Sequence, residues 1–130
     1  MGDKIFNVAV KAIIKKGDEY LILTRSETDI FKPNEFDLPG GKINLDEKLE
    51  DALRREVMEE SNLEIEIIKP IKAWDVIKPD RHLVGVTYLT NYTSGDVELS
   101  YEHSEYHWAT LEMILKGDYP DWIKNDFKLI

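Results

Sequence analysis

The sequence contains no cysteine among its 130 residues. Disulfide bonds, zinc sites built from thiolates and cysteine nucleophiles are therefore excluded, and the chain is compatible with the reducing cytoplasm. Long hydrophobic runs are also lacking, since no apolar stretch approaches the roughly 18 residues that a membrane-spanning helix needs. The first residues lack the apolar segment of a signal peptide. We therefore expect a soluble cytoplasmic protein.

Positive charge is scarce in this chain. It has 26 acidic residues against 17 lysines and arginines, which gives a formal net charge of −9 and a pI near 4.8. Nucleic-acid polymers and anionic membranes bind to basic surfaces, so neither is an expected partner. A small nucleotide is compatible with this charge if metal ions carry the positive charge. A homodimer is compatible with the same composition.

The length and the hydrophobic pattern predict a single α+β domain. A chain of 130 residues, of which 42% are hydrophobic, can bury one core, and residues 1–130 are assigned to one domain. Residues 26–35 are predicted to form a loop at a substrate opening. Alternating or short apolar runs predict strands at residues 5–14, 20–24, 36–38, 63–69, 71–77, 83–92, 97–99 and 106–109. Helices are predicted in the second half of 41–63 and at 111–115 and 121–129.

Residues 41–63 carry the most informative pattern. Four apolar residues recur at i, i+3, i+4 and i+8 from Leu49 and predict an amphipathic helix. Glu56 and Glu60 lie within about 40° of that apolar face, and Glu59 adds a third carboxylate. Buried carboxylates need a proton, a basic partner or a metal, and Mg²⁺ prefers such oxygen ligands together with waters and substrate phosphates. A solvated, charged helix face is the alternative for this short stretch.

The whole stretch resembles the sequence motif of a known family. It is similar to the Nudix box, G-x5-E-x7-R-E-U-x-E-E-x-G-U, in which U is aliphatic. The matching residues are Gly41, Glu47, Arg55, Glu56, Val57, Glu59, Glu60 and Leu63. Asn62 stands where the family usually has glycine, and asparagine tolerates the left-handed backbone that ends a helix. The chain is therefore identified as a MutT-like member of the Nudix hydrolase family.

This resemblance implies a fold and an activity. The fold is an α/β/α sandwich with a mixed central β-sheet, which agrees with the order of the predicted elements. The activity is that of a Mg²⁺-dependent pyrophosphohydrolase, with Mn²⁺ as a substitute ion, that cleaves the phosphoanhydride of a nucleoside diphosphate linked to another moiety. The alternative is a Nudix-like module that senses nucleotides without hydrolysing them. Such modules often lose box carboxylates, and this chain keeps all of them.

The resemblance also implies roles for individual residues. The implied metal ligands are the backbone carbonyl of Gly40 and the carboxylates of Glu56, Glu59, Glu60 and Glu102. The same four glutamates are the candidate catalytic residues, and the choice of general base stays open between Glu56 and Glu102. Three residues are expected to support the site, since the arginine orients the carboxylates and offsets part of their repulsion: Gly41, Glu47 and Arg55.

One of these glutamates lies outside the box. Many relatives bring a glutamate to the metals from a loop a few residues before a tryptophan. Glu102 suits that spacing to Trp108 better than Glu105 does. A solvated loop carboxylate is the alternative for both.

Substrate contacts are predicted at three further positions. Arg25 and Arg81 could bind phosphates, because the guanidinium group matches phosphate geometry. Phe36 stands where the family often has tryptophan and could stack on a base. The alternatives are surface arginines and a core aromatic. Relatives that hydrolyse ADP-ribose often have a proline at a similar distance beyond the box as Pro79. ADP-ribose-like substrates are therefore slightly favoured over nucleoside triphosphates.

Overall fold

A computed structural model describes residues 2–130 of the chain. Its strands are β1 Ile5–Lys16, β2 Glu19–Arg25, β3 Phe36–Asp37, β4 Gly40–Lys42, β5 Glu64–Ile77, β6 Arg81–Ser94 and β7 His103–Thr110. Its helices are α1 Leu49–Ser61, α2 Leu111–Lys116 and α3 Asp121–Phe127. Within residues 2–130, none of these helices has the length and apolar character required to cross a bilayer.

The strands of residues 2–130 form one mixed sheet. Its order is β3-β2-β1-β6-β5, with β4 paired to β1 and β7 paired to β2. β1 runs parallel to β6 and antiparallel to β2 and β4. Residues Ala9 to Lys11 of β1 pair with β4, whereas Lys15 and Lys16 pair with β2. The long strand β1 therefore holds β4, which leads into α1, beside the middle of the sheet.

Helices cover both faces of this sheet. One buried cluster lies between the sheet and α1 and includes Val10, Leu21 and Leu53. A second cluster lies between the sheet and helices α2 and α3 and includes Ile13 and Phe127. Successive residues of a strand point to opposite faces, so β1 contributes to both clusters. The predicted α+β class and α/β/α sandwich are confirmed.

Three of the predicted strands were wrong: two form a single strand, and the third is absent from the described residues. Residues 63–69 and 71–77 were expected to be separate strands, but β5 runs through Pro70 with shifts of register on either side of it. Such bulges accommodate a residue that lacks an N–H group. Residues 97–99 form no strand, because their backbone crosses the end of α1, where the Glu98 N–H donates to the Ser61 carbonyl at 3.1 Å.

Helix α1 ends in the predicted way at Asn62. This residue has a φ of 63°, and its N–H donates to the Met58 carbonyl at 2.9 Å. The side-chain amide of Asn62 also donates to the Asp96 carbonyl at 3.2 Å. Asparagine therefore supplies the left-handed helix end that glycine usually provides, and adds a hydrogen bond that glycine lacks.

Candidate active site

Strand β4 lies directly against the polar edge of α1. A Cβ atom on Gly41 would lie 2.6 Å from Oε2 of Glu56, so any side chain there would displace this carboxylate. Gly40 has a φ of 150°, and a Cβ atom on it would overlap the Val10 carbonyl oxygen. Both glycines are therefore required for the close approach of β4 to its neighbours.

Arg55 gathers three carboxylates of the Nudix box. Its Nε and Nη2 atoms donate to the two oxygens of Glu47 at 2.8 and 2.9 Å. Its Nη1 atom donates to Glu56 at 3.0 Å and to Glu59 at 3.3 Å. The Nη2 atom also donates to the Lys42 carbonyl at 3.2 Å, which ties the helix to β4. The supporting roles of Glu47 and Arg55 stay predictions, and these contacts show which groups Arg55 holds.

Neighbouring groups shift the pKa values of two carboxylates around Arg55, those of Glu47 and Glu56. Hydrogen bonds from Arg55 and from the Asn44 N–H lower the pKa of Glu47 to about 2. Burial raises the pKa of Glu56, and the nearby charges of Glu59 and Glu102 act in the same direction, while Arg55 opposes them. Glu102 is therefore close enough to Glu56 to influence its protonation, although its position in the sequence is remote.

We expect Arg55→Lys to weaken this arrangement, because lysine keeps the charge but loses the planar fork. The variant should be less stable by about 1–2 kcal/mol, and its kcat/KM should fall about tenfold through misplaced carboxylates. Thermal unfolding and steady-state kinetics measure the two effects. Arg54→Lys is the matched control, because Arg54 is half-exposed and makes one ion pair, to Glu50 at 3.9 Å. Equal losses in the two variants would refute the supporting role of Arg55.

Glu60 differs from the other box carboxylates because it is buried. The residue is 3% exposed, and its Oε1 atom accepts a hydrogen bond from the Gly40 N–H at 2.8 Å. Burial raises the pKa of Glu60 to about 7, although Lys11, the Gly40 N–H and His103 partly offset the effect. A carboxylate in this environment gains from a bound cation, which would compensate its charge.

A second polar cluster adjoins Glu60. Asp37 is 2% exposed and lies between Lys11, whose Nζ atom donates to Oδ1 at 2.9 Å, and His103, whose Nε2 atom is 2.9 Å from Oδ2. The Nη2 atom of Arg25 lies 3.5 Å from Oδ2. Burial opposes ionisation of Asp37, but Lys11, His103 and Arg25 outweigh it and hold the pKa well below the usual range. Sequence reasoning did not predict this cluster.

The donor set fits a divalent cation of the Mg²⁺ type. Glu56 and Glu59 bind the same guanidinium nitrogen, and the buried Glu60 lies on the same helix with its carboxylate held against β4. These are hard oxygen donors, which Mg²⁺ and Mn²⁺ prefer. In residues 2–130, no three acidic or histidine side chains are already close enough to form an ion-binding cluster. Binding would therefore require the carboxylates to turn from Arg55 toward the ion.

The predicted substrate-binding residues lie in three different environments. Arg25 forms ion pairs with Asp29 at 3.1 Å and with Asp37 at 3.5 Å, so its guanidinium already has anionic partners. Arg81 stacks on Phe31, 4.6 Å from the ring centre. Phe36 packs against aromatic side chains on one side and lines an open cleft of about 700 Å³. The roles of all three in substrate binding stay predictions.

Comparison with known proteins identifies the family. The NUDIX domain model matches residues 5–128. The 8-oxo-dGTP diphosphatase of Escherichia coli K12 is 27% identical over 117 residues, which cover 90% of this chain and 89% of that protein. The ADP-ribose pyrophosphatase of Methanocaldococcus jannaschii is 27% identical over 113 residues, which cover 84% of this chain and 64% of that protein.

A solved structure agrees with these sequence matches. The crystal structure of the MutT protein from Methanosarcina mazei Go1 superposes with a TM-score of 0.85 at 32% identity, and the match covers 98% of this chain and 94% of that one. The chain belongs to the Nudix family. It is a MutT-like Nudix hydrolase, an enzyme class that acts on acid anhydrides in phosphorus-containing substrates.

Proposed function

We propose that this protein is a Mg²⁺-dependent pyrophosphohydrolase of nucleoside diphosphate derivatives. The observation that carries the proposal is the buried carboxylate of Glu60, which β4 holds in place through the Gly40 N–H. Its raised pKa and the neighbouring Glu56 and Glu59 make this edge of α1 suited to a divalent cation. A role in stability alone would not favour a buried carboxylate at this position.

The proposed ligands are Gly40, Glu56, Glu59, Glu60 and Glu102. Bound Mg²⁺, or Mn²⁺ in its place, would neutralise the diphosphate and lower the pKa of water. The water oxygen attacks one phosphorus atom, the bond from that phosphorus to the bridging oxygen breaks, and the bridging oxygen leaves with the second phosphate. A glutamate accepts the proton that the water loses. Before the substrate binds, one guanidinium nitrogen of Arg55 holds Glu56 and Glu59 near one another, and its charge offsets part of their repulsion.

Two glutamates remain candidates for that general base. Glu56 lies beside Arg55, and burial raises its pKa, which makes its carboxylate a better proton acceptor. Glu102 lies in the turn before β7, where its carbonyl accepts a hydrogen bond from the Ser26 N–H at 3.0 Å. The charge of Glu102 contributes to the raised pKa of Glu56, so the two carboxylates lie in the same region.

We expect Glu102→Gln to lower kcat much more than Glu105→Gln does. Glu102 lies close enough to raise the pKa of Glu56, whereas Glu105 lines the cleft beside β3. Loss of a general base or a metal ligand typically lowers the rate about a hundredfold, whereas loss of a solvated carboxylate changes it less than about threefold. Single-turnover kinetics at saturating Mg²⁺ measure the difference. Equal, small losses would assign both glutamates to the solvated loop.

The proposed substrates are ADP-ribose-like dinucleotides and nucleoside triphosphates. The names of the two relatives describe one activity of each kind. Pro79 lies in the turn between β5 and β6, where the Lys78 N–H donates to the Arg81 carbonyl at 2.8 Å. Proline is common in such turns whatever the substrate is. Pro79 therefore supports ADP-ribose as the substrate only through its resemblance to the proline of relatives that hydrolyse ADP-ribose.

The ratio of kcat/KM for ADP-ribose to that for canonical and oxidised deoxynucleoside triphosphates tests the substrate proposal, because this ratio measures discrimination in the transition state. We expect the larger value for ADP-ribose. A tenfold preference for any triphosphate would end the argument from Pro79. Nucleotide binding without turnover of any compound at saturating Mg²⁺ would instead support the alternative, a nucleotide-sensing module. The cytoplasmic location, the single domain and a homodimer stay predictions.

A further inference from the structure

Asp37 joins four strands of the sheet through one buried carboxylate. It belongs to the two-residue strand β3 and contacts Lys11 of β1, Arg25 of β2 and His103 of β7. Because Asp37 is ionised, the hydrogen of the His103 ring that faces it is on Nε2. Such a carboxylate fixes the relative positions of strands whose own residues are distant in the sequence.

One side of this cluster leads to Glu60. The Nζ atom of Lys11 donates both to Asp37 and to the Leu38 carbonyl, at 2.9 and 3.0 Å. Leu38 is two residues before Gly40, whose N–H holds the Glu60 carboxylate at 2.8 Å. The backbone that positions Glu60 is therefore fixed by the same lysine that neutralises Asp37.

The other side leads to Glu102. His103 directly follows Glu102, and its ring is held by Asp37 in an environment where its side chain is 3% exposed. The strand pairing between β2 and β7 is irregular at this point, between Thr24 and Arg25. Regular hydrogen bonds between β2 and β7 therefore hold this turn less firmly. The side chain of His103 anchors the turn that carries Glu102 instead.

We propose that Asp37 is a positioning residue that holds Gly40 and Glu60 on one side, and Glu102 on the other, in register with one another for metal binding. This inference rests on the proposed function, since it assumes that these residues bind the ion. Asp37 itself is not one of the proposed metal ligands, since its carboxylate is occupied by Lys11, Arg25 and His103. Residues that orient metal ligands typically change metal affinity or activity about 10- to 100-fold when they are replaced.

Asp126 provides a matched control in the same molecule. It is 3% exposed, its carboxylate lies 3.5 Å from Nζ of Lys72, and it accepts a hydrogen bond from the Thr87 hydroxyl at 3.2 Å. It belongs to α3, which packs on the face of the sheet opposite α1. Asp126→Asn thus removes another buried carboxylate, whose partners Lys72 and Thr87 belong to β5 and β6 rather than to the segments that carry Gly40 and Glu102.

The test compares Asp37→Asn with Asp126→Asn by titration with Mn²⁺, followed by electron paramagnetic resonance without substrate. We expect Asp37→Asn to weaken Mn²⁺ binding about tenfold or more and Asp126→Asn less than about twofold, at similar losses of thermal stability. Equal effects on Mn²⁺ affinity in both variants would overturn the proposal. If Asp37→Asn does not fold, His103→Gln replaces it, with a weakening of at least about threefold expected; unchanged Mn²⁺ affinity in that variant would overturn the proposal.

The same titration separates this proposal from the proposed function. Wild-type protein that binds Mn²⁺ tightly but hydrolyses no nucleotide would contradict the function and, with the expected difference between the variants, still support the role of Asp37. Turnover with unchanged Mn²⁺ affinity in Asp37→Asn would support the function and contradict the positioning role. A wild-type protein that binds no Mn²⁺ would contradict both.

Discussion

Replacing Glu60 with glutamine is expected to lower kcat about a hundredfold or more at saturating Mg²⁺, because it removes a charged metal ligand at nearly constant shape. The glutamine oxygen can still accept the hydrogen bond that the Gly40 N–H now donates to Oε1 of Glu60. The fold should therefore persist, and circular dichroism checks this. A variant that keeps more than about a tenth of the wild-type rate would show that Glu60 does not bind the metal.

The same variant should be more stable than the wild type when metal is removed with a chelator. The pKa of Glu60 is raised from 4.5 to about 7, so the folded state holds this proton more tightly than the unfolded state does. The contribution of this proton to the free energy of unfolding is fully present below pH 4.5 and is lost as the pH rises through 7. Above pH 7 the buried charge thus costs about 3–4 kcal/mol relative to the neutral form, since one pKa unit corresponds to roughly 1.4 kcal/mol.

Thermal unfolding at pH 8 and at pH 5 tests the direction in which Glu60 makes the stability depend on pH. We expect Glu60→Gln to raise the Tm by several degrees at pH 8 and by little at pH 5, at which Glu60 of the wild type is protonated. Glu50→Gln is the control on the same helix, because Glu50 is exposed and forms an ion pair with Arg54 at 3.9 Å. A Tm gain that is equal at both pH values would contradict the assigned burial effect.

The second large effect is expected for Gly40→Ala. The backbone at Gly40 has a φ of 150°, which residues with a Cβ atom rarely adopt, and the added carbon would overlap the Val10 carbonyl of the neighbouring strand. Strain of this kind typically costs about 1–3 kcal/mol, and the overlap with backbone atoms adds to it. We expect the variant to unfold at a much lower temperature or to accumulate as an insoluble protein.

Gly17→Ala is the control for this substitution. Gly17 also has a positive φ, of 65°, but no described atom beyond its own backbone and its two neighbours in the chain lies within 4 Å of the position that its Cβ would occupy. The expected loss is therefore about 1 kcal/mol, from the backbone conformation alone. Similar losses of Tm in the two alanine variants would show that the close approach of β4 to β1 is not required.

Local spacing made the box residues predictable from the sequence. Glu56, Glu59 and Glu60 lie on one helix, so the helical period alone brings them close together, and the family motif adds the glycines before them. The left-handed helix end at Asn62 follows from the same local reasoning, and the structure confirms it. Short-range geometry of this kind does not depend on how the sheet is assembled.

The cluster around Asp37 could not be predicted in this way. The hydrogen bond from His103 spans 66 residues, and that from Lys11 spans 26, so each depends on the order and register of the strands. A one-residue change of register would point these side chains to the opposite face. The bulges around Pro70 and the path of residues 97–99 have the same origin, because long-range pairing decides both.

The most direct test of the central claim is hydrolysis of ADP-ribose and of nucleoside triphosphates in ¹⁸O-labelled water, with and without Mg²⁺. The proposed attack of water on phosphorus predicts one ¹⁸O atom in one of the two phosphorus-containing products per turnover, with Mg²⁺ required and Glu60→Gln as the inactive control. Products that form without incorporating the label, or nucleotide binding without any Mg²⁺-dependent product, would contradict it.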